Sequence, residues 1–335
     1  MKKGLFLSTI LLTLLLMMLS SCEISGMHKH SFGKWNVVTK ASCESAGTKE
    51  RMCKCGETES EIIPAIGHSY VDDICANCAA ERPSPDEWFI FTELEDGSYS
   101  VKARDQYTIS GRIIIPATYN GKPVTEIPSA AFGWCDKITE IVIPDSVTTI
   151  GTVAFHGCSS LIKVNIPKNV SEIPQQCFAA CGHLEEVVMH DGITKIDYGA
   201  FMNCGDITKI DIPDGLQLMG DFAFQGCSNL ESIYIPNGVE LIGMGCFYSC
   251  VNLTEIRLPS SVKHIGNEAF FDCYMLQTVY LPDGIIRIHH KAFNLCANLS
   301  NIYYAGSEEK WNDIIIDEGN NAIYSATLHY NYTEE

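Results

Sequence analysis

The sequence is poor in basic residues. Its 335 residues include 23 lysines and arginines against 41 aspartates and glutamates, which gives a formal charge of −18. Because phosphate binding needs a basic face, this balance argues against nucleic acid as a partner. The chain also lacks a glycine-rich phosphate loop and a Gly-x-Ser-x-Gly nucleophile motif. These absences weaken the case for an enzyme.

The first residues have the pattern of an export signal. Lys2 and Lys3 precede an uncharged apolar run that ends at Leu19-Ser20-Ser21-Cys22, and the run is short for a retained transmembrane helix. This ending resembles the lipobox of bacterial lipoproteins. The resemblance implies removal of residues 1–21, a lipid on Cys22, a tether over 22–27 and exposure on the bacterial cell surface. A simple signal peptide with a chance cysteine is the alternative.

Cysteine, in contrast, is abundant: there are 16, in groups with different spacing. Residues 28–82 are too short to bury a large core, and they contain two close cysteine pairs that predict a tetrahedral zinc site. The predicted ligands are Cys53, Cys55, Cys75 and Cys78. The alternative ligands are His30, Cys43 and His68. Disulfides, which export favours, and a loosely ordered stalk are the competing interpretations. The segment resembles a small Cys/His module ahead of repeat domains in Gram-positive surface proteins, which implies a location but no chemistry.

Beyond a proline-rich break, residues 83–106 are a linker and a hairpin around Asp96-Gly97 that is expected to cover the open end of the next domain. A 23-residue period then governs the chain. Phenylalanine recurs at 132, 155, 178, 201, 224, 247, 270 and 293. Cysteine recurs at 135, 158, 181, 204, 227, 250, 273 and 296. In each unit, alternating apolar residues predict a short strand that ends at proline, followed by a turn and a short helix.

A single 23-residue unit offers about six apolar side chains, worth roughly 2 kcal/mol each, whereas ordering its backbone costs at least ~1 kcal/mol per residue. Only stacking against neighbouring units closes that gap, so the units are expected to form a solenoid with parallel strands. The cysteine column then faces inward as a small, weakly polar packing position. Disulfides along the column are the alternative.

The repeated phrase resembles the BspA-like, or Treponema-pallidum-type, leucine-rich repeat. The resemblance covers about residues 107–305, and residues 306–335 look like the C-terminal cap of that family. It implies an α/β solenoid, a right-handed leucine-rich repeat with its parallel sheet on the concave face. Two single-unit departures are Met189-His190 at one strand end and His289 in place of a glycine.

Leucine-rich solenoids bind through side chains that point outward from the concave sheet. One outward column runs Val142, Asn165, Val188, Asp211, Tyr234, Arg257, Tyr280 and Tyr303. Because tyrosine and arginine are enriched at binding hot spots, Tyr234, Arg257, Tyr280 and Tyr303 are the candidate ligand-binding residues, with Glu255 from the adjacent column. The alternative is that exposed tyrosines only suit strand propensity.

The leading functional expectation is a lipid-anchored surface protein that binds an extracellular protein or glycan on the concave sheet. Resemblance to BspA-like proteins, some of which are adhesins for host matrix proteins or other bacteria, implies the adhesin-like role. A structural or scaffold lipoprotein without external ligand is the second hypothesis. An enzyme is the third, and no cofactor other than zinc is expected.

Overall fold

The computed structural model describes residues 30–43, 46–66, 69–71, 74–78 and 81–333. The chain divides into two units, Met1–Arg82 and Pro83–Glu335. The first unit corresponds to the Cys/His-rich segment, and the second contains the repeats.

The first unit contains two small antiparallel sheets. Strands β1 (Asn36–Thr39), β2 (Gly47–Met52) and β3 (Thr58–Ile63) form one sheet in that order. Strands β4 (Tyr70–Val71) and β5 (Ile74–Cys75) form the other. Every side chain of β1 is exposed, so this sheet has little apolar surface to bury.

The second unit begins with a cap. A 3-10 turn at Asp86–Trp88 leads into an antiparallel hairpin of β6 (Phe89–Glu93) and β7 (Tyr99–Ala103). The buried Phe89 ring lies edge-on to Phe132, with the centroids 6.4 Å apart. The hairpin therefore closes the first coil of the repeat.

The repeats form a solenoid with two ladders of parallel strands, which confirms the predicted fold class. After the cap, the strands are β8 (Gly111–Ile114), β9 (Thr118–Tyr119), β10 (Lys122–Ile127), β11 (Ile138–Val142), β12 (Thr149–Ile150), β13 (Lys163–Asn165), β14 (Glu172–Ile173), β15 (Glu186–Val188), β16 (Lys195–Ile196), β17 (Leu218–Met219), β18 (Leu241–Ile242), β19 (Glu255–Arg257), β20 (His264–Ile265), β21 (Thr278–Leu281), β22 (Arg287–Ile288), β23 (Asn301–Tyr304), β24 (Ile315–Ile316) and β25 (Thr327–His329).

The main ladder has two runs, β8-β11-β13-β15 and β19-β21-β23-β25. The second ladder has the runs β7-β10-β12, β14-β16-β17 and β18-β20-β22-β24, and from β12 onward its strands have two residues each. Two coils between β15 and β19 carry no main strand, although Ile210 and Ile233 remain buried in them. The hydrophobic core therefore continues through these two coils, although the hydrogen-bonded main ladder is interrupted there.

The far side of each coil, where a turn and a short helix were expected, is a series of turns. Two residues per coil have positive φ, one two residues before the phenylalanine and one two residues after it. In one coil these are Val153 (φ 52°) and Gly157 (φ 72°). A left-handed residue cannot continue a right-handed helix, so the helix is interrupted on both sides of the phenylalanine.

These turns also bond neighbouring coils together. The Val153, Phe155 and Gly157 N–H groups donate to carbonyls of the next coil at 3.0, 2.9 and 2.8 Å. The same pattern recurs at the other phenylalanines from Phe132 to Phe270. Backbone groups that a helix would have paired within itself are therefore satisfied between coils.

The core contains two periodic columns. The eight repeat phenylalanines stack on one another, with neighbouring centroids 5.0–5.7 Å apart and rings within 16° of parallel. The eight repeat cysteines are free and buried, as predicted. From Cys158 onward, each thiol donates to the phenylalanine carbonyl 26 residues earlier, at 3.1–3.2 Å. Cysteine is therefore a packing residue that also bonds one coil to the previous one.

The last coil is closed by a segment that departs from the repeat. Helices α1 (Glu308–Asn312) and α2 (Asn321–Ser325) flank β24, and β25 adds to the main ladder. Fully buried Asn320 accepts the Phe293 N–H at 3.0 Å through Oδ1. Its Nδ2 donates to the His289 and Asp317 carbonyls, each at 2.9 Å. In every earlier coil a carbonyl of the next coil accepts the phenylalanine N–H, so Asn320 replaces the missing coil.

Candidate functional site

Three of the predicted ligand-binding residues lie side by side on the main ladder. Arg257 pairs with Tyr280 across β19 and β21, and Tyr280 pairs with Tyr303 across β21 and β23. The Arg257 guanidinium carbon lies 3.5 Å from the centroid of the Tyr280 ring. The Tyr280 and Tyr303 rings stack at 5.0 Å, 12° from parallel. The parallel register thus builds a continuous column of a cation and two rings.

Two further aromatic residues extend this column. His329 on β25 pairs with Tyr303, and their rings stack at 4.4 Å. Tyr332 lies tilted against Tyr280 and Tyr303, with centroids at 5.1 and 5.4 Å. Its hydroxyl accepts a hydrogen bond from Arg257 Nη1 at 3.0 Å. We call Arg257, Tyr280, Tyr303, His329 and Tyr332 the aromatic cluster.

Sequence reasoning missed His329 and Tyr332 because the last coil is longer than the others. Asn301 pairs with Thr327, 26 residues on, whereas the paired residues of the main ladder from β11 to β23 are 23 residues apart. A fixed period therefore does not predict which residue of the cap joins the column. The alternating pattern of "TLHYNY" near the C-terminus is the signal that points to a last strand here.

The other two predicted residues are Glu255, which contacts the cluster, and Tyr234, which lies in the coil before Arg257. Glu255 accepts a hydrogen bond from Arg257 Nε at 2.9 Å. Tyr234 lies on one of the coils without a main strand and is 57% exposed. Its hydroxyl donates to Asp214 Oδ1 at 3.1 Å, and this bond raises the pKa of the Tyr234 phenol. Tyr234 thus presents most of its ring to solvent beside the more tightly packed cluster.

The same outward face is different toward the N-terminal end. Ion pairs cross the ladder from Arg112 to Glu140 at 2.9 Å and from Lys163 to Glu186 at 2.8 Å. Asn165 exchanges two hydrogen bonds, each 2.8 Å, with the backbone of Ile143. Since exposed pairs of this kind contribute about 0–1 kcal/mol each, they are a solvated sheet surface rather than a recognition site.

The aromatic cluster presents ring edges and hydroxyls rather than ring faces. Tyr280 has Arg257 on one side and Tyr303 on the other, and Tyr303 lies between Tyr280 and His329. These rings are half-buried, and Arg257 is exposed. Phenol hydroxyls and a guanidinium are suited to hydrogen bonds with carbonyls and carboxylates of a partner.

The predicted metal ligands of the first unit fall into two separate groups. His30, Cys53 and Cys55 form the first, and Cys43, Cys75 and Cys78 form the second, with the ligand atoms of each group within 4.8 Å of one another. Either group could hold a metal ion. A single group that contains all four of Cys53, Cys55, Cys75 and Cys78 does not occur among the described residues.

The first group is a tight turn after β2. Phe32 forms a bridge with Cys53, which brings His30 next to the turn, and Cys55 Sγ lies 3.3 Å from His30 Nδ1. Hydrogen bonds lower the pKa of the Cys53 thiol to about 6, the largest contribution coming from the Cys55 backbone N–H. Cys53 is therefore in the form that binds metals at neutral pH.

The second group is more buried. Cys43 and Cys75 are 7% and 1% exposed, and their sulfur atoms are 3.7 Å apart. Desolvation raises the pKa of the Cys43 thiol to about 12. A cation that neutralises the thiolates would remove this desolvation penalty. Two other predicted residues, Cys22 and His68, lie outside the described residues.

Across the described ranges, no helix is both long and apolar enough to cross a membrane. The family profile described as "BspA type Leucine rich repeat region (6 copies)" matches residues 113–231 and 194–322. A comparison with curated proteins found no match.

Several solved structures are similar to the chain. A leucine-rich repeat protein from Bacteroides ovatus is 24% identical, with a TM-score of 0.52, over 72% of this chain and 77% of that one. A leucine rich cell surface protein from Faecalibacterium prausnitzii is 19% identical, with a TM-score of 0.34, over 72% and 99%. The T. pallidum Leucine Rich Repeat protein is 21% identical, with a TM-score of 0.35, over 74% and 98%. At this identity the first similarity supports the fold alone.

Proposed function

The chain belongs to the BspA-type leucine-rich repeat family, and from this premise we propose that it is a lipid-anchored, adhesin-like binding protein of the bacterial cell surface. Its partner docks on the outward face of the main sheet, at the aromatic cluster together with Tyr234 and Glu255. Binding is non-covalent, and no residue of the cluster is assigned a catalytic role.

The observation that carries this proposal is the aromatic cluster itself. Along the outward column, Arg257, Tyr280 and Tyr303 occupy three consecutive strands, whereas Val142, Asn165 and Val188 occupy the corresponding positions at the other end. Tyrosine and arginine are the residue types that dominate binding hot spots. Rings already held in one orientation lose little conformational entropy when a partner docks.

A protein partner fits this surface better than a glycan. Sugars bind to aromatic residues mainly by stacking on ring faces, and the faces of Tyr280 and Tyr303 are covered by their neighbours. Ring edges, hydroxyls and a guanidinium instead match the carbonyls and carboxylates of a protein surface. We therefore propose an extracellular protein, such as a host matrix protein, as the partner.

Anchoring to the membrane through Cys22 is part of the same proposal. It rests on the positive residues, the apolar run and the Leu-Ser-Ser-Cys ending at the N-terminus. Acyl chains contribute about 0.8 kcal/mol per buried methylene, so two or three chains hold a folded domain at a membrane. In cells fed labelled palmitate, Cys22→Ala should lose both the label and membrane fractionation. Retention of both would contradict the anchor.

Zinc is the metal that we propose for the first unit. Thiolate and imidazole ligands in small exported modules suit its tetrahedral geometry. A metal-stabilised module would act as a spacer between the membrane and the solenoid. Elemental analysis of the chain purified with reductant should show zinc. Iron as the major bound metal, or no bound metal, would contradict the assignment.

A scaffold without external ligand is the second candidate, and one observation favours it. Tyr332 covers part of Tyr280 and Tyr303 and accepts a hydrogen bond from Arg257. A cluster whose members are satisfied by one another has less need of a partner. Binding experiments with matched variants distinguish the two.

The test measures binding to immobilised fibronectin, laminin, type I collagen, fibrinogen and mucin. Tyr234→Ala with Arg257→Gln removes an exposed ring and the cation, and we expect binding to the recognised protein to weaken roughly tenfold or more. Val188→Ala, at the same column position and 44% exposed, is the control and should bind like the wild type. Binding that the double variant leaves unchanged would refute this surface. Recognition of mucin glycans alone would refute the protein partner, and no binding to any probe would favour the scaffold.

A further inference from the structure

The described residues of the first unit form almost no hydrophobic core. Among its described residues, the buried apolar side chains are Cys43, Cys53 and Cys75. Apolar residues of its strands, such as Val37, Val38 and Ile62, are 56–69% exposed. Buried hydrocarbon therefore cannot be the main source of this unit's stability. What the unit buries is sulfur, in two places.

Disulfides do not account for these sulfurs completely. Residues 28–82 contain five cysteines, Cys43, Cys53, Cys55, Cys75 and Cys78. The one cysteine before them, Cys22, carries the lipid in the proposed function, and the remaining odd number cannot all pair off. In the first group the cysteines are separated by a single residue, and the third member is an imidazole, which forms no disulfide.

Each group has the composition of a metal site. The first offers one imidazole and two thiolates, and the second offers three thiolates. Ligand atoms within 4.8 Å of one another are close to the spacing around a tetrahedral zinc, where Zn–S bonds are about 2.3 Å and Zn–N bonds about 2.0–2.1 Å. Small adjustments of side-chain rotamers suffice to bring three such atoms onto one ion.

We propose that the first unit binds two metal ions, one held by His30, Cys53 and Cys55 and the other by Cys43, Cys75 and Cys78. This deepens the proposed function, since it rests on metal binding by the unit, and it assigns each cysteine to one ion. One further donor, such as water, completes each tetrahedron. The two ions replace the hydrophobic core, so loss of metal should unfold this unit while the solenoid stays folded.

The number of bound ions tests the proposal directly. Full-length chain, purified with reductant and then desalted, is analysed for zinc by plasma mass spectrometry and for bound mass by native mass spectrometry. We expect two zinc ions per chain. One zinc per chain would overturn the two-site assignment but leave zinc binding intact. No zinc, with disulfides found by peptide mapping, would overturn both.

Matched variants test which residues hold which ion. Cys53→Ser with Cys55→Ser should bind one zinc, and Cys75→Ser with Cys78→Ser should also bind one. Cys177→Ala is the control, because alanine occupies the corresponding position in most coils, and it should keep two. If one double variant loses both ions and the other loses none, the assignment of one ion to each group is wrong.

Cobalt substitution tests the ligands of each site by absorption spectroscopy, independently of the number of bound ions. Cobalt(II) bound to thiolates absorbs in the near ultraviolet with an intensity that grows with the number of Co–S bonds. The Cys75/Cys78 variant retains a site with two thiolates, and the Cys53/Cys55 variant retains a site with three. We expect charge-transfer intensities per cobalt in the ratio of about two to three, as the ligand sets dictate. Equal intensities would contradict the assigned ligands.

Discussion

Asn320 allows a sharp test of how the solenoid ends. Its side chain accepts the Phe293 N–H at 3.0 Å and donates to the His289 and Asp317 carbonyls at 2.9 Å. Replacing it with alanine removes three hydrogen bonds and leaves a buried N–H without an acceptor. The adjacent Asn321 is exposed, so Asn321→Ala is a matched control.

The loss of stability depends on which polar groups the substitution leaves without a hydrogen-bond partner. A buried donor or acceptor left unsatisfied costs about 1–3 kcal/mol. Asn320→Ala leaves the buried Phe293 N–H without an acceptor, and the two carbonyls can bond to water only if the cap opens. We therefore expect the free energy of unfolding to fall by about 3 kcal/mol. For a unit of this size that corresponds to a fall in Tm of roughly 6–12 °C. Asn321→Ala should change the free energy of unfolding by less than about 0.5 kcal/mol.

Calorimetry measures the fall in Tm, and hydrogen exchange locates it. In Asn320→Ala, the Phe293 amide and the last coil should exchange faster, while the first coils should keep their protection. Asn320→Asp keeps an acceptor but places a carboxylate against two carbonyl oxygens, so it should also destabilise. If Asn320→Ala melts like Asn321→Ala, the side chain does not replace a missing coil.

Three further outcomes are expected. Gly151→Ala places a Cβ 2.3 Å from the Ser129 backbone nitrogen of the previous coil, and urea unfolding should show a loss of stability of about 1–3 kcal/mol. Gly182→Ala, which has no atom within 4 Å of the new Cβ, is the control and should lose almost no stability. Equal losses in the two variants would refute the close approach of the coils at Gly151. The ten buried thiols of the solenoid have raised pKa values. The main cause is burial for nine of them, and for Cys158 it is the hydrogen bond with the Cys181 thiol, followed by burial. Above about pH 8.5 these thiols therefore ionise only in the unfolded chain, and the free energy of unfolding falls by about 1.4 kcal/mol per pH unit for each ionised thiol. Circular dichroism should show cooperative unfolding near pH 10, and a native signal at about pH 11.5 would contradict this. A thiol reagent added to the native chain should leave those ten cysteines unlabelled until denaturant is added, and rapid native labelling would contradict their burial.

The repeat was predictable because its signal is redundant. Eight phenylalanines and eight cysteines at one spacing fix the coil length, and the alternating apolar residues fix which strand residues face inward. The structure confirms both, with the repeat phenylalanines and cysteines buried. The same register predicted that Arg257, Tyr280 and Tyr303 would be neighbours.

The features that the sequence did not predict depend on backbone geometry that no single residue type marks. The left-handed positions around each phenylalanine hold glycine in some coils and valine, glutamine or lysine in others, so the expected short helix is absent from the repeats although their composition allows it. The first metal-ligand group depends on the bridge between Phe32 and Cys53, which sequence spacing does not predict. Cysteine spacing alone places Cys53, Cys55, Cys75 and Cys78 in one site. Spacing does not show which other residues the antiparallel sheet brings next to each cysteine pair.

The cysteine column has a consequence for what happens after the solenoid opens. While the coils are stacked, each thiol of the column is buried, and from Cys158 onward each also donates to a carbonyl. Oxidants and disulfides in solution therefore reach none of them. Opening several coils exposes sulfurs at regular intervals of 23 residues. An oxidising medium can cross-link these sulfurs in combinations that the stacked coils cannot accommodate. Unfolding would then be irreversible, and the working lifetime of the protein would be set by its rate of unfolding rather than by its equilibrium stability.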